Sequence, residues 1–385
     1  MSHFLELIRK MKYDDVEVYS LCLIPTEKCN LNCSYCMVDK SSGRNMTWDT
    51  AKAQIDEMMH VPHSFSYYDI SFMGGEPFLA FGLIKNIVEY VRRDYADKSV
   101  QFSTVTNGIL VHGEIQDWIK ENENWFQVTL SLDGKASCHN ANRSNSFEKI
   151  DLDFFRSLKH KVINMVVTPF QISSFVENIS FLESQGFQVK TYIEEGVRWN
   201  KDSISLLGVE LKRLMDYYIQ RPKNNPTSLL RNSLYLLVEE EAGRPQGCGR
   251  HVYDYAVSAE GKRYDCHRCM PYENSKVGAL TIPPIYTENL SKALLLDDRC
   301  KDCFVNYLCN SCPASNASRK GKGQLAELHC MMHKMLYKAQ AYFYLTLLAQ
   351  CPDHVALMHL PSQKRMEQLK AAKRIIRELD LSHPF

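Results

Sequence analysis

The sequence predicts an α/β protein built on a parallel sheet, with a cysteine-rich segment behind it. Three observations carry this. Six β-branched or aromatic runs alternate with amphipathic stretches in the first half of the chain. Each run ends near a Gly, Pro, Asn or Asp. Cysteine usage then shifts abruptly, with eight of the fourteen cysteines lying between Cys248 and Cys330.

The six runs are residues 16–23, 67–72, 100–106, 126–132, 161–167 and 187–193. Amphipathic segments at 48–59, 83–95 and 172–185 lie between them. Six strand–helix units imply a parallel sheet, open or partly closed. In such sheets the chemistry gathers at the C-terminal ends of the strands. Residues 221–226 (RPKNNP) interrupt the helical pattern and mark a boundary. A helix is expected over 229–242. After Cys330 the chain reads as helical, with a basic amphipathic piece at 363–379. The expected organisation is a lead of residues 1–15, a sheet domain of 16–222, a cysteine-rich domain of 223–335 and a helical tail of 336–385.

Composition narrows the class. The chain has 385 residues, 45% hydrophobic and 24% charged, which suits a folded soluble protein. A net charge of +1 argues against a global attraction to nucleic acid or to an anionic membrane. No basic, then apolar, signal segment opens the chain. The apolar stretch around 341–349 is too short to span a bilayer. Fourteen cysteines without an export signal point to metal rather than disulfides, and to a reducing, cytoplasmic compartment.

Cys29, Cys33 and Cys36 follow the first strand in PTEKCNLNCSYCMVDK. Three thiolates can hold three irons of a cubane and leave the fourth open, as catalytic zinc sites keep an open position. A structural zinc would need a further ligand, for which Asp39 and His60 are the nearest candidates. Three more motifs sit at strand ends. Met73-Gly74-Gly75-Glu76-Pro77 closes the second, Thr106-Asn107-Gly108 the third, and Ser131-Leu132-Asp133-Gly134 the fourth, followed by His139 and Arg143. Gly74 and Gly75 permit close backbone approach.

With Tyr35 before the third cysteine, this set resembles the radical S-adenosylmethionine superfamily over about residues 16–200. The resemblance implies a partial (β/α)6 barrel. It also implies a cluster on Cys29, Cys33 and Cys36 whose open iron is chelated by the methionine of S-adenosylmethionine. Reductive cleavage then yields a 5′-deoxyadenosyl radical that abstracts a hydrogen atom. Glu76 would receive the methionine ammonium. Ser131 and Arg143 would hold its carboxylate, for which a guanidinium fork is well suited.

A second cysteine group runs Cys248-x12-Gly261-x4-Cys266, then Cys300-x2-Cys303-x5-Cys309-x2-Cys312-x17-Cys330. Taken alone, the two Cys-x2-Cys pairs would form a zinc ribbon. The whole is similar to the SPASM extension of radical enzymes that mature sulfatases, quinone-cofactor precursors and ribosomal peptides. The resemblance implies two auxiliary clusters, making three [4Fe-4S] clusters in all. Cys300, Cys303, Cys309 and Cys330 would hold the outer one. Cys248, Cys266 and Cys312 would hold the inner one, with Cys269 as the candidate fourth ligand. The family usually has three residues between the cysteines matching Cys309 and Cys312, where this chain has two. Cys22, Cys138 and Cys351 are left as ordinary residues.

His267 directly follows Cys266, where sulfatase-maturing relatives carry an Asp that acts as a base. A Cys-His-Arg run there looks like enzymes that cross-link ribosomal peptides, and histidine can still accept a proton near neutral pH. His267 could equally pack beside the inner cluster. Glu194 and Glu195 end the sixth strand, with alternation turning only one inward. The expected activity is thus oxidative cross-linking of a precursor peptide, through a thioether, ether or carbon–carbon bond. The alternatives are formylglycine formation on a sulfatase and a metal-bearing scaffold without turnover. Expected partners are the peptide and an electron donor such as a flavodoxin or ferredoxin. Only some fifteen residues precede the first strand, so a leader peptide would be bound elsewhere or by a separate protein, or the enzyme needs none.

Overall fold

The computed structural model describes residues 18–36, 38, 40, 43–61, 65–194, 199–231, 233–239, 254–264, 266–272, 300, 302–309, 324–358 and 362–379. Six strands appear where the sequence placed them: β1 (Val18–Thr26), β2 (Tyr67–Gly74), β3 (Val100–Thr106), β4 (Phe126–Ser131), β5 (Val162–Val167) and β6 (Gln188–Ile193). Two more come from the cysteine-rich segment, β7 (Asp254–Val257) and β8 (Arg263–Tyr264). The eight-stranded sheet has the order β6-β5-β4-β3-β2-β1-β7-β8. β1 pairs in parallel with both β2 and β7, and β8 closes the edge antiparallel to β7. Residues 254–264, part of the segment expected to be a cysteine-rich domain, extend the sheet beside β1.

The chain forms two compact units. The first comprises Met1–Asn164, Gln185–Phe187 and His251–Ile285. Its helices are α1 (Trp48–Met59), α2 (Phe81–Asp94), α3 (Glu114–Asn122), α4 (Ala136–Asn142) and α5 (Leu152–Ser157). Thr47 caps α1 by accepting from the Thr50 N–H at 3.1 Å, and Asp151 caps α5 by accepting from the Phe154 N–H at 3.0 Å. Alternation along the strands sorts side chains by face. Leu21, Leu23, Ile70, Phe72 and Phe102 are buried, each worth about 1.5–3 kcal/mol of transfer free energy. Phe72 stacks on Phe126 with centroids 6.0 Å apart, and Trp118 meets Phe126 edge-on at 4.9 Å. The opposite face is polar. Cys22, Ser71, Ser103 and Gln127 lie in one register across four strands, with Ser20 and Asp69 one step earlier.

The second unit comprises Met165–Ser184, Gln188–Arg250 and Tyr286–Phe385. It contains α6 (Phe175–Ser184), α7 (Lys201–Ile219), α8 (Leu236–Glu239), α9 (Gln324–Gln350), α10 (Val355–Met358) and α11 (Arg365–Glu378). A reciprocal Asn200–Ser203 capping box starts α7. α9 packs on α7 and α11. The boundary at RPKNNP is tied down, since the Pro222 carbonyl accepts from the Val355 N–H at 2.9 Å. The helix expected over 229–242 is broken. Among the described residues of this span, Ser228–Leu230 forms a 3-10 turn and only Leu236–Glu239 is α-helical. Tertiary bonds take the backbone instead: the Leu229 carbonyl accepts from Gln340 and the Tyr235 N–H donates to Gln368. Among the described residues no helix is long and apolar enough to cross a membrane.

Candidate functional site

Cys29, Cys33 and Cys36 lie on the loop leaving β1, and the ends of β2, β3 and β4 hold that loop. From β2, the Gly75 N–H donates to the Thr26 carbonyl at 3.1 Å and the Glu76 N–H to the Lys28 carbonyl at 2.8 Å. A Cβ on Gly75 would sit 1.9 Å from the Lys28 carbonyl oxygen. Gly74 has φ +127°, and its Cβ would meet the Thr26 carbonyl at 2.6 Å. The two glycines thus let the cysteine loop's own backbone approach.

From β3, Asn107 Nδ2 donates to Asn30 Oδ1 at 2.7 Å. Glu76 is 1% exposed and joins this network. It accepts from Thr106 Oγ1 at 2.7 Å, the Asn107 N–H at 2.8 Å and the Phe78 N–H at 3.3 Å. Burial pushes its pKa up to about 6, against the pull of these donors.

From β4 and α4 comes the densest network. Asp133 is fully buried, and its Oδ2 accepts from Tyr35 Oη at 2.7 Å, Arg143 Nε at 3.0 Å and Asn142 Nδ2 at 3.2 Å. The Arg143 guanidinium also lies over the Tyr35 ring, 5.3 Å from its centroid. The Ser34 N–H donates to the Asn142 carbonyl and the Asn32 N–H to Ser144 Oγ. Ser144 and Asn145 hold this position at φ +54° and +51°, a left-handed pair that non-glycine residues adopt at a cost. His139 packs beneath. Its ring faces the Asp133 N–H and Ser146 Oγ, and burial pushes its pKa down to about 4. Ser131 ends β4 as a buried residue.

All three loop cysteines are free thiols. Burial pushes Cys29 and Cys33 up. The Leu31 N–H, 3.4 Å from Cys29 Sγ, and Lys40 oppose this at Cys29, and Arg143 opposes it at Cys33. Cys36 also raises Cys29, and Cys36 and Cys29 raise Cys33. The three thiols share one loop, with Lys40 and Arg143 near them, and once deprotonated they are the donor type that an iron–sulfur centre takes. These residues fit the group that the motif implies.

The second cysteine group is described in part. In the first unit, Cys266 follows β8, and His267 Nδ1 lies 3.8 Å from Cys266 Sγ. The His267 pKa is pushed down to about 4 by burial and by Arg268. Cys269 lies with Cys266 at the 3-10 turn His267–Tyr272. In the second unit, the Cys303 N–H donates to the Cys300 carbonyl, and the Cys309 N–H to Asn306. Tyr337, two helical turns after Cys330 on α9, donates to the Leu308 carbonyl at 2.5 Å. This bond ties the helix of Cys330 to the loop of Cys309. Cys248, Cys312, Asp39 and Glu195 lie outside the described residues, as does the lead 1–15.

Sequence reasoning missed the hub. Asp133 and Asn107 were inside recognised motifs, yet no role was given to either. An Asp or Asn in a strand-end turn ordinarily serves its own backbone, so nothing local signals a partner 98 residues away.

Comparison with known proteins agrees with this geometry. A protein of Methanocaldococcus jannaschii described as uncharacterized is 37% identical over 114 residues, covering 30% of this chain and 38% of that protein. A cysteine-type anaerobic sulfatase-maturating enzyme of Clostridium perfringens is 23% identical over 80% of this chain and 92% of its own. The structure of native anSMEcpe with bound AdoMet and Cp18Cys peptide superposes with a TM-score of 0.66 at 21% identity, covering 86% of this chain and 99% of that one. Streptococcus suis SuiB bound to the precursor peptide SuiA gives 0.54 at 15% identity, covering 80% and 74%. The Radical SAM superfamily model matches residues 23–179, the span that contains the cysteine loop and every strand end that holds it. Residues 23–179 of this chain are a radical SAM domain.

Proposed function

We propose that this chain is a radical S-adenosylmethionine enzyme with a SPASM extension. On this reading it acts on a ribosomally made peptide and forms an oxidative intramolecular cross-link: a thioether, an ether or a carbon–carbon bond. The observation that carries the reading is the anchoring of one three-cysteine loop by three successive strand ends. When bound, the cluster and S-adenosylmethionine supply a 5′-deoxyadenosyl radical that takes a hydrogen atom from substrate. The chain's own residues bind and orient. A carboxylate offers about four acceptor positions. Glu76 gives three of them to Thr106, Asn107 and Phe78, so one remains for the methionine ammonium. Asp133 takes Nε of Arg143, which leaves the Nη groups for the methionine carboxylate, and Ser131, buried at the end of β4, is its second candidate partner. The polar sheet face of Ser20, Cys22, Asp69, Ser71, Ser103 and Gln127 offers hydrogen-bonding groups to a peptide.

Cross-linking removes two electrons from the peptide, and the radical step accounts for one. An auxiliary cluster, if bound, would supply the acceptor for the second. Cys300, Cys303, Cys309 and Cys330 would hold one such group, and Cys248, Cys266, Cys312 and Cys269 would hold the other. His267 Nδ1 lies toward Cys266 Sγ, which supports a role in orienting that sulfur, whereas a pKa pushed down to about 4 does not support His267 as the base of the reaction. A second reading is formylglycine formation on a sulfatase, supported by the identity with the Clostridium perfringens enzyme across most of both chains. Mass analysis separates the two. The reconstituted protein is incubated with any short peptide found encoded beside its gene and with a cysteine-containing sulfatase peptide. Loss of a hydrogen pair from the first supports cross-linking. Replacement of sulfur by oxygen together with loss of two hydrogens in the second, the change from –CH2–SH to –CHO, would replace it with formylglycine formation.

A further inference from the structure

We propose that the exposed face of α11 docks an acidic one-electron carrier of the flavodoxin or ferredoxin type. The proposal rests on the reading of Cys300, Cys303, Cys309 and Cys330 as a cluster site. α11 buries Gln368, Ala371, Ala372 and Ile375 within its own unit. Toward solvent it shows Met366, Lys370, Lys373 and Arg377, spaced by four, three and four residues and so aligned in one stripe. Residues 364–378 carry six cations (Lys364, Arg365, Lys370, Lys373, Arg374 and Arg377) against Glu367 and Glu378, a surplus of four on a chain whose net charge is +1. Glu378 is already bonded to Arg374 at 3.1 Å and to Arg377 at 3.3 Å.

A charged stripe is ordinarily a solvated face, and cations in the last turn complement the helix dipole. That accounts for Arg374 and Arg377 but not for Lys370 and Lys373. A second observation places the helix that carries the stripe beside a cysteine loop. The Arg374 guanidinium lies over the Phe304 ring, 5.6 Å from its centroid, and Phe304 directly follows Cys303. The basic helix thus lies against the cysteine loop. A membrane-surface role does not suit it, because the apolar side of α11 is already buried in the protein. An electron-transfer encounter needs little area, less than about 1,200 Å². A helix of 14 residues, about 21 Å long, offers enough. In the step itself one electron leaves the carrier and enters the chain. The carrier is oxidised by one electron, the chain is reduced by one, and no bond changes.

The test is stopped-flow reduction of the fully reconstituted chain by a purified reduced flavodoxin, followed by bleaching of the iron–sulfur absorbance. Lys370→Glu/Lys373→Glu/Arg377→Glu should lower the second-order rate constant about tenfold at low ionic strength, with the gap closing in high salt. The corresponding triple Gln variant should fall in between. Reduction by dithionite, which needs no docking, should be equal in all three proteins. Equal flavodoxin rates in wild type and the Glu variant overturn the docking proposal alone. So does an acidic peptide that binds this face while flavodoxin reduction stays unchanged. A wild-type protein with iron only at the Cys29 site overturns the cluster reading, and the docking proposal with it.

Discussion

Tyr35 Oη donates a hydrogen bond to Asp133 Oδ2 at 2.7 Å, joining the cysteine loop to the end of β4. The same carboxylate oxygen accepts from Arg143 at 3.0 Å, and the pair is almost wholly buried. Removing one partner of a buried ion pair leaves a desolvated charge and costs about 3–5 kcal/mol. Asp133→Ala should therefore lower the unfolding free energy by about 3 kcal/mol, read from urea midpoints of the apoprotein. Tyr35→Phe removes only a bond to a charged acceptor, about 1.5–3 kcal/mol. A smaller loss for Asp133→Ala than for Tyr35→Phe would contradict the placement of Asp133 as the hub.

Gly75→Ala places a methyl group 1.9 Å from the Lys28 carbonyl oxygen, and backbone has nowhere to give. The loop must shift, at a cost of about 1–3 kcal/mol. The variant should reconstitute with about four fewer irons than wild type, the content of one cubane. Full iron content with wild-type electron paramagnetic resonance would show that the loop does not depend on this contact.

Glu76 gives a pH dependence. Its pKa in the folded chain is raised to about 6 by burial, above the ordinary 4.5. The protonated form is thus favoured by folding. That stabilisation is complete below about pH 4.5 and is lost as pH rises through about 6, by roughly 2 kcal/mol. Glu76→Gln should flatten this loss. S-adenosylmethionine binding runs the other way, because its ammonium needs the carboxylate ionised. Affinity should rise between about pH 5 and 7 in wild type and stay flat in Glu76→Gln, checked by isothermal titration. A wild-type affinity independent of pH would remove Glu76 from ammonium binding.

The sequence carried the site further than it carried the fold's edges. Cysteine spacing and the strand-end glycines are local signals, and β1 to β6 announce themselves by β-branched runs. β7 and β8 are too short for a periodic signal. They form because Ala256 pairs with Cys22 on one side and Tyr264 on the other, a long-range match. The broken helix at 229–242 has the same cause. Gln340 and Gln368 capture its backbone from far along the chain, and propensity cannot anticipate that. The role of Asp133 was hidden because its three partners are set by tertiary structure.

Under the proposed function, Cys29, Cys33 and Cys36 carry the cluster that cleaves S-adenosylmethionine. The most direct measurement is 5′-deoxyadenosine formed by anaerobically reconstituted protein with dithionite and S-adenosylmethionine, wild type beside the triple Cys29→Ala/Cys33→Ala/Cys36→Ala variant. Wild type should form 5′-deoxyadenosine, and the variant should form none while keeping the iron bound elsewhere. No 5′-deoxyadenosine from a wild-type protein that holds its iron, or equal amounts from both proteins, would contradict the claim.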